Sequence, residues 1–143
     1  MSQSFAPRYR LATVLLVLYW IALFIATHIP VSDPVRHLPG GDKMAHLLAY
    51  AGLAYLFAFA LQGRNRSLVG YACVLGVVAA YGLVDEWIQS FVGRSASIKD
   101  WIADVAGGVA GVSAHLVTAL AWSAVLSGRV VPITDSRADL PPD

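Results

Sequence analysis

The chain has 143 residues, 57% of them hydrophobic and only 13% charged, with a formal net charge of +1. That charge content is about half the usual share for a soluble domain, and it argues against a water-soluble enzyme, a disordered chain and a nucleic-acid binder. Cys73 is the only cysteine, so an internal disulfide and a CxxC metal site are both excluded.

Crossing a bilayer core takes about 20 apolar residues per helix, and the chain holds four such stretches. The first runs from about Leu11 to Ile29 and carries no charge. Arg8 and Arg10 before it resemble the start of a signal peptide. The apolar run is longer than a signal core, though, and no convincing small-x-small cleavage site follows it, so a retained helix is expected. Pro30, Pro34, Pro39, Gly40 and Gly41 punctuate the first loop. Asp42 reads as an N-cap for the second stretch, about Met44 to Leu61. Gln62 to Ser67 is a tight loop suited to an antiparallel hairpin. The third stretch, about Leu68 to Phe91, holds Asp85 and Glu86 in its last turns. After a loop from Gly93 to Lys99, the fourth stretch runs from about Trp101 to Leu126. The polar, proline-containing remainder reads as a flexible cytoplasmic tail. The expected fold is therefore all-α: a polytopic membrane protein with a four-transmembrane-helix bundle over 1–126 and a tail over 127–143.

An inside N-terminus puts Arg8, Arg10, Arg64, Arg66, Arg129 and Arg137 on the cytoplasmic side. It leaves Arg36, Lys43, Arg94 and Lys99 outside. This bias favours both termini in the cytoplasm. Trp87 and Trp101 would then lie in the outer aromatic belt.

Four alternating helices bring one set of ends together. Those ends hold His28; Lys43, His46 and Tyr50; Asp85, Glu86 and Gln89; and Ser97, Asp100 and Asp104, with Arg94 in the adjoining loop. At about 100° per residue, Lys43, His46 and Tyr50 share one stripe, as do Glu86 and Gln89, and Asp100 and Asp104. Carboxylates cost about 2.5–3.5 kcal/mol each at the bilayer centre and less near its edge, so they should turn towards partners or a wet cleft. Gly107 and Gly111 form a GxxxG for close helix packing, and Ala45, Ala49 and Gly52 supply small residues on the second helix. Blander readings exist. Ser97-Ile98-Lys99-Asp100 fits a capping box, Lys43 could snorkel, Asp85 could be solvated, and His115 reads as a hydrogen-bonded core histidine.

Asp42-Lys43 followed by His46 and Tyr50, then Tyr81-Gly82-Leu83-Val84-Asp85-Glu86-Trp87-Ile88-Gln89, then Gly93-Arg94-Ser95-Ala96-Ser97, Asp100, Ala106-Gly107-Gly108 and Gly111 form an ordered set. In this set the sequence resembles the VanZ-like family of small bacterial membrane proteins, over about half of the chain. One departure stands out: the family often has Asn where this chain has Asp104. The resemblance implies a multi-pass protein of the bacterial cytoplasmic (inner) membrane, within a cell envelope whose relatives include proteins associated with resistance to glycopeptides such as teicoplanin. It supplies no agreed reaction.

Three functions fit these residues. In the first, an outward polar cleft binds or processes an anionic membrane lipid or lipid-linked cell-wall precursor. Glu86 and His46 would then be the acid/base pair, Lys43 and Arg94 the anion contacts, and Tyr50, Gln89, Ser97, Asp100 and Asp104 the remaining lining. In the second, the same cleft binds without turnover. In the third, the charges only lock the helix ends. His46, Glu86, Asp100 and Asp104 are competent metal ligands, but no metal-site spacing supports one, so neither a metal nor another cofactor is expected. Asp85, Glu86, Asp100 and Asp104 outnumber Lys43 and Arg94, which calls for a protonated carboxyl, a neighbouring imidazolium or a bound cation. Four spans are few for a transporter with repeats, and a homodimer would supply more.

Overall fold

The computed structural model describes residues 7–28, 41–61, 67–92 and 97–127. The first loop, the second loop up to Arg66, the stretch 93–96 with Arg94, and the tail beyond Ser127 lie outside the described residues. The described chain is helical throughout its regular structure: α1 (Pro7–His28), α2 (Gly41–Leu61), α3 (Leu68–Gln89) and α4 (Ile98–Ser127), with a short 3-10 turn, Ser90–Val92, after α3.

The boundaries follow from local chemistry. Pro7 opens α1, where a missing N–H costs nothing, and the helix stops at His28, short of Pro30. Ser67 caps α3 with extended backbone (φ −94°, ψ 155°), its side chain accepting from the Gly70 N–H at 3.1 Å. At the other end the chain tightens into the 3-10 turn, and Ser90 Oγ donates to the Trp87 carbonyl at 2.6 Å. Asp42 is the second residue of α2, inside the helix rather than at the N-cap position expected for it.

All four helices are long and apolar enough to cross a membrane. The 30 residues of α4 extend about 45 Å at 1.5 Å per residue, against a hydrocarbon core of about 30 Å. Leu11, Leu18, Met44, Leu48, Val69, Val117 and Leu120 are exposed apolar side chains along these helices, as a lipid-facing surface requires.

α2 is the central helix and packs against the other three, most extensively against α4. The GxxxG of α4 explains that closeness. A Cβ at Gly107 would collide with the Leu47 carbonyl oxygen, and one at Gly111 with the Ala51 carbonyl oxygen, so the two backbones are in contact. The small residues of α2 serve a different neighbour. Tyr19 of α1 donates to the Ala49 carbonyl at 2.9 Å, and its hydroxyl lies where a side chain at Gly52 would go. Ala45 is exposed.

The core is built from Leu16, Leu23, Leu53, Ala54, Val74, Val78 and Val112. An aromatic column crosses it: Trp20 meets Tyr81 edge-on at 5.1 Å, Tyr81 stacks on Tyr50 at 5.8 Å, and Tyr50 lies nearly parallel to His46 at 6.4 Å. The column leads from the apolar interior to the polar end. Towards the opposite end of the bundle, His115 is fully buried among Tyr55, Phe59 and Tyr71, in keeping with a core role.

Candidate functional site

Antiparallel alternation unites the end of α1, the start of α2, the end of α3 and the start of α4. Contacts across that end divide its acids into two centres.

The first centre surrounds Asp85, which is 1% exposed. Thr27 Oγ1 of α1 donates to its Oδ1 at 3.0 Å, and Gln89 Nε2, one turn on, donates to its Oδ2 at 2.8 Å. Tyr81 OH reaches Oδ1 at 3.4 Å, and His28 Nδ1 stands 3.7 Å away. A solvated helix-end aspartate was the bland expectation; the structure replaces water with protein donors from two helices. Gln89, expected to face the cleft beside Glu86, instead spends its amide on Asp85.

The second centre joins His46, Glu86 and Asp104. His46 Nδ1 and Asp104 Oδ1 lie 2.8 Å apart, linking α2 to α4 across the bundle. Asp104 is fully buried, and its Oδ2 has no hydrogen-bond partner among the described residues. Gly82 makes its room: a Cβ there would stand 3.0 Å from Asp104 Oδ2 and 3.3 Å from its Cβ. Glu86 Oε2 accepts the Ser97 backbone N–H at 2.7 Å, so a side chain of α3 holds the first turn of α4. Its Oε1 is buried without a partner among the described residues. One donor atom from each of His46, Glu86 and Asp104 lies within 4.8 Å of the others.

The proposed capping box is not formed as drawn. In such a box the Asp100 carboxylate would take the Ser97 N–H, but Glu86 has that bond. Asp100 turns to α2 instead, with its Oδ1 3.8 Å from Lys43 Nζ. Lys43 is half-exposed at the rim, and Asp100 is largely buried. Tyr50 is fully buried beneath His46, so its contacts are with rings rather than open space; its hydroxyl has no hydrogen-bond partner among the described residues.

Beside the second centre, a cavity of about 480 Å³ lies between α3 and α4, lined by Leu83, Val84, Trp87, Ile98 and Trp101 with Glu86 and Ser97. Leu83, Val84, Trp87 and Ile98 are themselves exposed, so this groove opens sideways, towards where lipid would lie. Trp87 is exposed at the groove's edge. Trp101 is tied inward, its indole N–H donating to the Ala79 carbonyl at 3.0 Å.

Of the residues singled out from sequence, His46, Glu86 and Asp104 therefore converge. Lys43, Asp100 and Ser97 border them, Tyr50 underlies them, and Gln89 serves the other centre. Arg94 lies outside the described residues. Thr27 was missed, because a threonine inside an apolar run carries no sequence signal of an aspartate on another helix; Tyr81, one turn before Asp85, stood in the ordered motif set without a role assigned to it.

No curated protein and no solved structure gives a significant match to the chain. The family model VanZ/LLP1 matches residues 3–121. That span takes in all four helices almost to the end of α4, and the chain is a multi-pass membrane protein that belongs to the VanZ/LLP1 family.

Proposed function

We propose that this protein acts in the bacterial cytoplasmic (inner) membrane, with both termini in the cytoplasm. On this reading it binds an anionic lipid or lipid-linked cell-wall precursor from the outer leaflet. The observation that carries the reading is the sideways-open groove of about 480 Å³ with a carboxylate in its wall. Its apolar rim suits an acyl or isoprenoid chain, and its polar end would hold the headgroup. Lys43 is at the same end of the bundle, and Arg94 follows closely on α3; both suit an anion, Arg94 through bidentate contact. Family membership is consistent with an envelope role and with a link to glycopeptide resistance. Capture of such a precursor would connect the two, by altering its availability at the cell surface. The Lys and Arg distribution supports the orientation.

Native mass spectrometry of gently extracted wild-type protein tests the reading. The expected result is a retained phosphate-bearing lipid in about equimolar amount. Leu83→Trp, a change at an exposed position, should fill the groove and remove that lipid without lowering the melting temperature. An identical lipid profile in wild type and Leu83→Trp would refute the reading. Periplasmic activity of a reporter fused after Ser127 would refute the orientation alone.

A further inference from the structure

The His46–Glu86–Asp104 centre has a feature that a lipid cleft does not require. Three helices each contribute a metal-ligating side chain: His46 from α2, Glu86 from α3 and Asp104 from α4. All three are buried, at 6%, 5% and 0% exposure. One carboxylate oxygen of each acid is held, Glu86 Oε2 by the Ser97 amide and Asp104 Oδ1 by His46. The other oxygen of each, Glu86 Oε1 and Asp104 Oδ2, is buried without a partner among the described residues. A buried polar atom left unpaired costs about 1–3 kcal/mol, more when charged, so two of them within one cluster of three residues call for a partner. Among the described residues, Lys43 and Lys99 are the lysines at this end; Lys43 is turned towards Asp100, and Lys99 is exposed.

We propose that His46, Glu86 and Asp104 bind a divalent cation of the Zn²⁺ or Mn²⁺ type. One imidazole with two carboxylates suits borderline first-row ions better than Ca²⁺ or Mg²⁺, which favour all-oxygen shells. The donor atoms lie within 4.8 Å of one another. Oxygen and nitrogen ligands about 2.0–2.2 Å from one tetrahedral ion stand about 3.3–3.6 Å apart, so closure draws the donor atoms together by at most about 1.5 Å, within reach of side-chain rotation. Three protein ligands leave a coordination position open, which an oxygen of water or of a ligand can fill. Spacing along the sequence could not disclose this set, because each ligand comes from a different helix.

A second grouping, Asp42, His46 and Asp100, shares the histidine. It is the weaker candidate: Asp42 is only half-buried and Asp100 faces Lys43.

The test is calorimetric titration of Zn²⁺, then Mn²⁺, into the full chain in mild detergent after EDTA treatment, with no lipid added. One site per chain is expected. Glu86→Gln and Asp104→Asn nearly preserve size and keep one acceptor oxygen, and each should weaken binding by about tenfold or more, since even outer-shell losses cost about 10–100-fold. Asp42→Asn should leave affinity within about twofold. Circular dichroism and size-exclusion profiles like those of wild type establish that each variant folds. Absence of a site in wild type would overturn the proposal, as would binding that survives Glu86→Gln and Asp104→Asn but is lost in Asp42→Asn. Because the metal is titrated alone, its failure leaves the lipid reading of the groove standing.

Discussion

Asp85 and Glu86 are adjacent in sequence, yet they belong to different worlds. Asp85 points into the bundle, where donors from Thr27, Gln89 and Tyr81 engage both of its oxygens. Glu86 points towards α4, where the Ser97 amide engages one oxygen and leaves the other buried and open. Burial does not separate them, since both are nearly inaccessible. Completeness of pairing does. A network satisfied on every side rigidifies helix ends, whereas a half-satisfied one keeps capacity for something more. The first pattern is that of a structural lock, and the second is the one the proposed cation site requires.

The largest effect should come from the interface that brings the centres together. Gly111→Leu would force a side chain into the α2 backbone at Ala51. Its expected cost, at or above the ~3 kcal/mol top of the usual overpacking range, should appear as aggregation or a sharply lowered melting temperature in detergent. Such a loss would remove both centres together.

Asp85→Ala comes next. It strands the Gln89 amide and the Tyr81 hydroxyl at about 1 kcal/mol or more each, while Thr27 keeps the Phe24 carbonyl as an acceptor, so a loss of about 2–3 kcal/mol is expected by thermal or denaturant unfolding. Glu86→Ala strands one amide and should cost about 1 kcal/mol. A similar cost for both would erase the distinction between them.

The His46–Asp104 contact sharpens the picture further. A double-mutant cycle with His46→Phe and Asp104→Leu should give a coupling of about 0.6–1.7 kcal/mol, from the average to the maximum of interhelical hydrogen bonds in membranes. The smallest effect belongs to Lys43→Met. A half-exposed ammonium 3.8 Å from its partner should contribute less than ~0.5 kcal/mol to stability, although the same change should weaken retention of an anionic lipid in mass spectrometry.

The sequence disclosed much of this through periodic physical constraints. Four apolar runs of membrane length specify four helices, and alternation dictates which ends meet. Lys43, His46, Glu86, Asp100 and Asp104 could thus be assigned to one end before any coordinates. Helical phase also foretold that Gly107 and Gly111 share a packing face. Phase on one helix does not say which neighbour a side chain meets, however. Glu86 and Gln89 share a stripe, yet the flexible Gln89 amide turns back one helical turn to Asp85. Ser97 and Asp100 have capping-box spacing, but Glu86 arrives from another helix and takes the amide. Trp101 looked like a belt residue because its indole N–H needs an acceptor, and water at the interface is the usual one; here the Ala79 carbonyl supplies it. For Ser97 and Trp101 a partner on another helix displaces the local one, and such partners are set by helix rotation and tilt rather than by spacing; Gln89 chooses between two partners of its own helix.

The most direct measurement of the contrast between the two centres is the melting temperature of Asp85→Ala and Glu86→Ala, in one detergent with EDTA, against wild type. The account predicts a drop for Asp85→Ala at least twice that for Glu86→Ala. Equal drops, or a larger one for Glu86→Ala in the presence of EDTA, would contradict it.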